Sequence, residues 1–409
     1  MAGVVVTGLG AVTALGGDVA ALTAALADGR CAIGPLTLFE HAGRCRLAAQ
    51  IPEVPAVAHR GVPGLPRSAA RRLSRPDRFG LAAAGEACAA AGLDAPLRRT
   101  TGLFVGATTG GMLETEEAYR RRRAGEAARY RLSRLLGTPL PATAAAVAQA
   151  LGVFGPQATV STACSSSALA VAMAADAIRR GEMRTALVLG TDGLCRLTYA
   201  GFDALQALDP APCRPFDRDR RGLSLGEGAA ALVLEDADHA RARGARARAV
   251  LLGYGTASDA HHVTAPHPEG AGALVALRAA LAAARVPPDA VDYVNAHGSG
   301  TRQNDAVEIG VLRTVFGRRL EDMPVSSTKS QLGHCLGAAG AVEAVVTVLA
   351  LDEGLLPPTV HFATPDPAWA DVDFVPTAGR RRPLAVAVTS SYGFGGHDVS
   401  LVFGRAGGR

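Results

Sequence analysis

The chain has 409 residues, which is enough for two domains of ordinary size or for one large double core. With 48% hydrophobic and 19% charged residues, the composition is typical of a well-buried α/β protein and excludes a disordered chain. The formal net charge of +5 permits an acidic protein partner but gives no reason to expect nucleic acid binding.

The cysteines and the apolar runs restrict the cellular setting. Seven cysteines are scattered without a CxxC pair, which disfavours a disulfide framework and a zinc site. The start, MAGVVVTGLGAVTALG, resembles a strand and a glycine-rich turn rather than a signal peptide. No apolar run reaches the roughly 18 residues of a membrane span. We therefore expect a cytoplasmic protein that needs no metal and does not enter a membrane.

Alternating strand and helix patterns run through the first half. Strands are predicted at residues 3–9, 103–105, 159–162, 185–190 and 230–235. Helices are predicted at residues 18–28 and 81–91, after a charged stretch near 120, and after Cys164. Residues 31–66 and 214–228 are predicted loops, and the basic segment 237–249 predicts a connection between residues 1–245 and 246–409.

Residues 159–182 combine a short extended run, a lone thiol and a helix of small residues. Cys164 is predicted where the strand turns into the helix, which ends near Gly181. Unpaired N–H groups and the positive end of the helix dipole would lower a thiol pKa there, and no acid follows until Asp176. The residues alone leave two interpretations open, a reactive nucleophile and a small buried hydrophobe.

The chain contains a single lysine, Lys329, among its 42 Lys and Arg residues. A GC-rich genome explains an arginine excess, so the surviving lysine predicts a site that needs a compact ammonium. Residues 325–351 also resemble residues 160–178, with a strand-like VSS or VST followed by a turn and a small-residue helix. This repeat predicts parallel or mixed sheets sandwiched by helices, with the two helices side by side and Cys164 near the turn of Lys329 and His334.

Three further stretches are predicted to face the same pocket. His297 follows a strand in a loop of Gly, Ser and Thr, and Asp305 and Glu308 come after it at helical spacing. Residues 389–398, TSSYGFGGHD, join two strands through a tight glycine turn whose N–H groups could form half of an oxyanion hole, with Phe394 as a mobile lid. The three histidines of residues 258–270 lack acid or cysteine partners at metal-binding spacing, which favours a polar loop.

Four motifs, TACSSS, NAHGSGTxxND, STKSQLGHCLGAAG and GFGG, resemble those of the β-ketoacyl-acyl-carrier-protein synthases, the ketosynthases of type II fatty-acid and polyketide assembly. The resemblance covers essentially the whole chain. It implies the thiolase fold, a five-layered αβαβα sandwich of two pseudo-repeated halves. No cofactor is implied, because acyl groups arrive on the phosphopantetheine of an acyl carrier protein.

The resemblance also implies roles for individual residues. Cys164 would carry the acyl chain, and its N–H and that of Phe394 would bind the oxyanion. His297 and His334 would bind the enolate formed when the malonyl unit loses CO2. Lys329, held by Glu308 and with Asp305 nearby, would organise the site electrostatically.

Contacts with substrate and partners are implied more loosely. The acyl pocket would include Thr109, Met112, Phe202 and Gly395. Acidic carrier proteins would bind Arg71, Arg72, Arg75 and Arg214 at a basic rim. The family dimerises through the strand near residues 157–161, so we expect a homodimer or a heterodimer with a chain-length-factor-like subunit.

Departures from the family pattern bear on the substrate. His397 and Asp398 replace the commoner Thr and Asn after GFGG, Thr109 replaces a larger apolar residue, and Leu223 replaces an aromatic one. These changes favour a polyketide or polyene pathway over housekeeping fatty-acid synthesis. The alternatives are a transacylase of the same fold and a partner subunit that lacks activity. The presence of Cys164 opposes the second alternative, and the lack of a cysteine in the glycine turn opposes a thiolase.

Overall fold

A computed structural model describes residues 3–54, 65, 67–126 and 132–407. Strands and helices alternate along most of the chain. The strands are β1 Val4–Thr13, β2 Ile33–Pro35, β3 Leu47–Ala49, β4 Gly102–Gly106, β5 Gln157–Val160, β6 Thr185–Asp192, β7 Leu225–Gly226, β8 Gly228–Asp236, β9 Ala249–Ser258, β10 Tyr293–Asn295, β11 Val325–Ser326, β12 Leu355–Leu356, β13 Arg380–Arg381, β14 Val386–Gly393 and β15 His397–Arg405.

The helices differ widely in length, and several short ones lie in connections. They are α1 Val19–Ala27, α2 Arg67–Ala70, α3 Arg75–Ala90, α4 Ala95–Thr100, α5 Met112–Arg123, α6 Pro141–Leu151, α7 Ser166–Arg179, α8 Arg196–Ala204, α9 Ala237–Ala242, α10 Ala271–Ala284, α11 Arg302–Phe316, α12 Arg319–Asp322, α13 Lys329–Leu332 and α14 Ala339–Glu353.

The main sheet has ten strands in the order β11-β10-β14-β15-β9-β1-β8-β6-β4-β5. It consists of two five-stranded halves, because β1 pairs with β8 along its whole length but with β9 only over Val4 to Val6. Strands β4, β5 and β6 are parallel in one half, and β10, β11 and β14 are parallel in the other. The strands at the middle of the order pair antiparallel, so the sheet is mixed as the alternating pattern predicts.

Helices cover the half-sheets on both faces. Helices α7 and α14 contact each other and strands of both half-sheets, so they form a middle layer. Helices α3 and α6 pack on the outer face of the first half-sheet, and α10 packs on that of the second. Runs of Ala and Val in these helices permit close packing, and α14 is buried from Ala339 to Leu351. The predicted five-layered αβαβα sandwich is confirmed.

The predicted side-by-side packing of the repeated helices is also confirmed, with one difference in register. Ser167 Oγ on α7 accepts the Ala341 N–H of α14 at 2.8 Å. Helix α7 begins at Ser166, soon after β5 ends at Val160, whereas β11 ends at Ser326 and α14 begins only at Ala339. The second unit therefore has a longer turn, which contains α13, and His334 lies in this turn as predicted.

The predicted boundary between residues 245 and 246 falls between α9 and β9, and the division into two halves at that point stays a prediction. Among the described residues, no helix is both long enough and apolar enough to cross a membrane.

Candidate active site

One cavity of about 330 Å³ opens between the two halves of the fold. Its lining brings together four groups that are far apart in the sequence, namely Cys164, His297, His334 and Phe394. Phe202 and Gly395, both predicted at the acyl pocket, also line it. These four residues meet because the turns after β5, β10, β11 and β14 lie together at one end of the layers.

A tight turn fixes Cys164 just before α7. Ala163 adopts φ of 50°, in the left-handed region. The Ser165 hydroxyl donates to the Thr162 carbonyl at 2.9 Å and that of Ser166 donates to the Ala163 carbonyl at 2.6 Å. These bonds reinforce the backbone N–H bonds of Ser165 and Ser166 to the same two carbonyls, at 3.3 and 3.2 Å. The serines of the TACSSS motif therefore hold the nucleophile turn, and the predicted strand-to-helix position of Cys164 is confirmed.

The expected lowering of the thiol pKa is wrong. Burial raises the pKa of Cys164 to about 11, although the charge of Lys329 and the Phe394 N–H, which donates to the sulfur, act in the opposite direction. Cys164 is only 7% exposed, so the loss of hydration outweighs the helix N-terminus. At neutral pH the resting nucleophile is a thiol.

Glu308 holds the loop that carries His297. Its two carboxylate oxygens accept the N–H groups of His297 and Gly298, each at 2.7 Å. Asp305 accepts the Gly300 N–H at 3.1 Å and the Phe216 N–H at 2.8 Å. Burial raises the pKa of Glu308 to about 8, while the Gly298 N–H favours the carboxylate. Glu308 and Asp305 thus shape the backbone beneath His297.

His334 is held by the backbone of the loop before β8. Its N–H donates to the Ser224 carbonyl at 2.7 Å, and its carbonyl accepts the Gly226 N–H at 2.9 Å. These bonds tie the long turn of the second unit to the first half of the chain. His334 is 1% exposed and therefore has a fixed position in the cavity wall.

Hydrogen bonds to the two imidazoles define their tautomers. Nδ1 of His334 accepts the Leu336 N–H at 3.0 Å, and Nδ1 of His297 accepts the Tyr392 N–H at 3.3 Å. A neutral ring that accepts at Nδ1 carries its hydrogen on Nε2. Burial, assisted by the charge of Lys329, holds the pKa of both histidines well below the usual value. Both rings are therefore neutral Nε2–H donors, and their centroids lie 5.4 Å apart.

Lys329 lies behind the histidines, but Glu308 is not its partner. Its ammonium contacts the Glu343 carboxylate of α14 and donates to the His297 carbonyl at 2.5 Å. Lys329 and Glu343 are each about 3% exposed at their side chains, so the ion pair is buried. The prediction of a buried organising lysine agrees with this geometry, and the partner assignment is corrected to Glu343.

The glycine turn between β14 and β15 closes the cavity over the sulfur. A Cβ atom added at Gly393 would lie 2.6 Å from the Thr162 carbonyl oxygen, so only glycine allows this turn to approach the nucleophile turn. The Phe394 ring stacks on Phe202 with centroids 5.3 Å apart and an interplanar angle of 22°. Gly395 and Gly396 take φ of 86° and 75°. The Phe394 N–H thus points at Cys164, as an oxyanion donor requires.

Two predicted pocket residues lie outside the cavity. Thr109 and Met112 are not among the residues that line it. The Thr109 hydroxyl donates a hydrogen bond to the Asp192 carboxylate at 2.8 Å. Sequence resemblance alone could not show that a hydroxyl at this position has a structural partner.

The predicted arginine rim is corrected at Arg75 and stays a prediction at Arg71, Arg72 and Arg214. Arg75 binds the buried carboxylate of Glu227 and donates to the Ile51 carbonyl at 2.5 Å, so it is an internal ion pair. Arg71 and Arg72 are exposed and Arg214 is half-buried, but none of them lines the cavity. The lining arginines are Arg221 and Arg302, both exposed.

The histidine-rich loop and two buried acids complete the surroundings. In the described part of the chain, no three His, Cys, Asp or Glu side chains are placed to hold a metal ion. Asp192, which the sequence analysis missed, accepts N–H groups from Thr108, Thr109, Gly110 and Gly337 at 2.7–3.1 Å. Glu343 was also missed, although an acid within an otherwise apolar helical segment, AGAVEAVV, is a visible signal.

Comparisons with known proteins agree with this site. The model of the β-ketoacyl synthase N-terminal domain matches residues 1–240, and that of the C-terminal domain matches residues 248–363. A putative polyketide β-ketoacyl synthase 1 of Streptomyces cyaneus is 40% identical and covers 99% of each chain. A 3-oxoacyl-[acyl-carrier-protein] synthase 2 of Synechocystis sp. is 36% identical and covers 98% of this chain and 97% of its own.

Solved structures give the same result. The ishigamide ketosynthase/chain length factor superposes with a TM-score of 0.92 at 32% identity and covers 99% of this chain and 100% of its own. A type II polyketide synthase acyl-carrier protein in complex with its ketosynthase bound to the hexaketide gives a TM-score of 0.88 at 28% identity and covers 99% of both chains. The protein belongs to the β-ketoacyl synthase family.

Proposed function

We propose that the protein condenses an acyl group carried on Cys164 with malonyl-acyl carrier protein, releasing CO2 and forming a 3-oxoacyl-acyl carrier protein. The observation that carries this proposal is the convergence of one thiol and two Nε2–H donors in one cavity. A thiol alone would support acyl transfer only. Two neutral donors next to it fit the oxygen of an enolate, which is the charge that decarboxylation creates.

The first half-reaction transfers the acyl group to the enzyme. The Cys164 sulfur attacks the thioester carbonyl of the donor, a new C–S bond forms, and the bond to the carrier thiol breaks. The proton of Cys164 ends on that leaving thiol, so no net base is consumed. The Phe394 N–H faces the sulfur and is placed to stabilise the tetrahedral oxyanion.

The second half-reaction makes the carbon–carbon bond. The malonyl unit loses CO2 while the Nε2–H groups of His297 and His334 donate to the thioester oxygen that becomes the enolate. The enolate carbon attacks the acyl carbonyl on Cys164, the C–S bond breaks, and the Cys164 thiolate takes up one proton from solvent. Lys329 does not contact the reacting atoms. Its ammonium fixes the His297 carbonyl and favours the neutral form of both rings.

Partners and pathway are part of the same proposal. Two similar proteins are a ketosynthase/chain length factor and a ketosynthase in complex with its acyl-carrier protein. Strand β5 ends the sheet order and its residues are at most half-buried, which supports a dimer through this edge, with itself or with a chain-length-factor-like subunit. The departures at Leu223 and residues 397–398 favour a polyketide or polyene substrate. The scattered cysteines favour a cytoplasmic location.

The test is incubation of the purified protein with an acyl-carrier thioester and malonyl-carrier protein. Mass spectrometry is expected to find the acyl group on Cys164 and a 3-oxoacyl product, with release of one CO2 per product. Acylation of Cys164 without CO2 release would identify a transacylase. Absence of both would identify a partner subunit and refute the proposal.

A further inference from the structure

The glycine turn is attached to a neighbouring loop, residues 259–267. The Gly395 N–H donates to the Val263 carbonyl, and the Asp259 N–H donates to the Gly396 carbonyl, both at 2.8 Å. The Asp259 carboxylate anchors this loop by accepting the N–H groups of His267 and Gly272, each at 2.9 Å. The position of Phe394 therefore depends on a contact outside its own hairpin.

A second carboxylate, that of Asp398, lies at the same contact. Asp398 is 3% exposed and lines the cavity, and its Oδ2 has no hydrogen-bond partner within the described part of the chain. A Cβ atom added at Gly272 would lie 2.5 Å from Asp398 Oδ2 and 2.7 Å from Asp259 Oδ1. The two carboxylate oxygens therefore lie close to the same point beside Gly272, and no hydrogen bond joins them among the described residues.

The groups around the pair do not neutralise it. Tyr392 of β14 is the cross-strand neighbour of Asp398, and Glu308 of α11 acts on Tyr392 from the other side. Asp259 faces Asp398 from the loop after β9, and Gly272 of α10 adds no charge. His267 contributes a backbone N–H while its ring packs against His261, and His397 is exposed. Burial, assisted by Asp259, raises the pKa of Asp398 to about 7.

We propose that Asp398 holds a proton beside the carboxylate of Asp259, and that this proton positions the glycine turn so that the Phe394 N–H stays on Cys164. Asp398 is a positioning residue, because it acts through Phe394. Loss of the proton leaves two like charges close together, and their repulsion separates the turn from residues 259–267. The inference rests on the proposed condensation for its effect on activity, but the protonation of Asp398 does not.

The direction of the pH effect follows from the raised pKa. A buried acid whose pKa rises on folding binds its proton more tightly in the folded chain than in the unfolded one. Its contribution therefore lowers the free energy of unfolding as pH rises from about 4 to about 7, and the loss persists above pH 7. If the turn is held only while Asp398 is protonated, the fraction of enzyme with the turn in place falls about tenfold between pH 6 and pH 8.

Asp398→Asn is the central variant, since an amide can donate to Asp259 at every pH. The measured quantity is the ratio of wild-type to Asp398→Asn condensation rates from pH 6 to pH 8, in which the titration of Cys164 and of the catalytic histidines cancels. We expect a ratio near one at pH 6 and a fall of about tenfold by pH 8. A constant ratio would overturn the proposal. Asp398→Ser, which also lacks the charge, replaces Asp398→Asn should the latter not fold.

Two further measurements separate this inference from the proposed function. The ratio of iodoacetamide alkylation rates of Cys164, wild type over Asp398→Asn, needs no substrate and is expected to rise as pH passes 7, because the loosened turn exposes the sulfur. A flat ratio would overturn the proposed role of the Asp398 proton even in an active enzyme. His397→Thr is the matched control on the same turn and is expected to keep the wild-type profile. If it abolishes the pH dependence, the neighbouring imidazole is the cause and the inference fails.

Discussion

The nucleophile unit, β5 to α7, and the lysine unit, β11 to α14, share a strand–turn–helix plan and differ in the turn. The first turn is short, carries no charged side chain and is held by hydroxyls of Ser165 and Ser166. The second is long and carries Lys329 and His334, with Glu343 on the helix that follows. The comparison shows how one architecture keeps a thiol neutral in one unit while the other unit carries the buried Lys329–Glu343 ion pair.

The largest expected effect concerns the lysine unit. Glu343→Gln leaves the buried ammonium of Lys329 without its counter-charge, and we expect a loss of about 3–5 kcal/mol in the free energy of unfolding. Glu117→Gln is the matched control, because Glu117 forms exposed ion pairs with Arg120 and Arg121. It should cost at most about 1 kcal/mol.

Urea denaturation of both variants gives the comparison. Equal losses in the two variants would mean that the Lys329–Glu343 pair is as solvated as a surface pair, which would contradict the burial on which the difference between the units depends.

The next largest effect concerns the nucleophile unit. With the pKa of Cys164 raised to about 11 by burial, the thiolate fraction at neutral pH is small and grows about tenfold for each pH unit. We expect the alkylation rate of Cys164 to rise about a hundredfold between pH 7 and pH 9. Mass spectrometry of iodoacetamide-labelled peptides measures it.

A rate that reaches a plateau near pH 7 would contradict this expectation and would restore the lowered pKa that the helix N-terminus predicts. The exposed thiol of Cys31, followed in the same samples, shows that the reagent is active at each pH.

The smallest effect tests the long turn itself. Gly333 precedes His334, has φ of 66°, and a Cβ atom there would lie 2.8 Å from the Leu225 carbonyl oxygen. Gly333→Ala should lower the free energy of unfolding by at least about 1–2 kcal/mol and reduce CO2 release, because His334 is displaced. Gly201→Ala is the control, since nothing lies within 4 Å of its Cβ position in exposed helix α8.

Gly201→Ala should be neutral or gain up to about 1 kcal/mol. Thermal unfolding of the pair measures the difference, and an equally tolerated alanine at both positions would show that the turn does not fix His334 through the backbone.

Much of this arrangement could be predicted from the sequence, because it depends on local patterns. Apolar periodicity predicted the alternating elements, and the repeat of small-residue helices predicted the middle layer. The motifs brought Cys164, His297, His334 and Phe394 to one cavity and placed Lys329 against His297. The serines of TACSSS and the glycines of GFGG are local devices whose purpose can be read from spacing.

The errors concern interactions between distant segments. Two buried acids, Glu308 and Glu343, are candidate partners of Lys329. Only the packing of α14 decides that Glu343 is the partner. The thiol pKa depends on burial, which no helix pattern supplies. Arg75 was assigned to the surface because basic stretches are usually exposed. Its side chain instead forms an ion pair with the buried carboxylate of Glu227.

The most direct test of the central claim asks whether CO2 release depends on the two histidines and not on Cys164. The rate of CO2 release from malonyl-carrier protein is measured for Cys164→Ala and for the double variant His297→Gln/His334→Gln. We expect Cys164→Ala to release CO2 at a rate within about threefold of wild type while forming no condensation product, and the double variant to lose CO2 release by at least about 100-fold. The reverse pattern, with decarboxylation lost with the sulfur and retained without the imidazoles, would contradict the account.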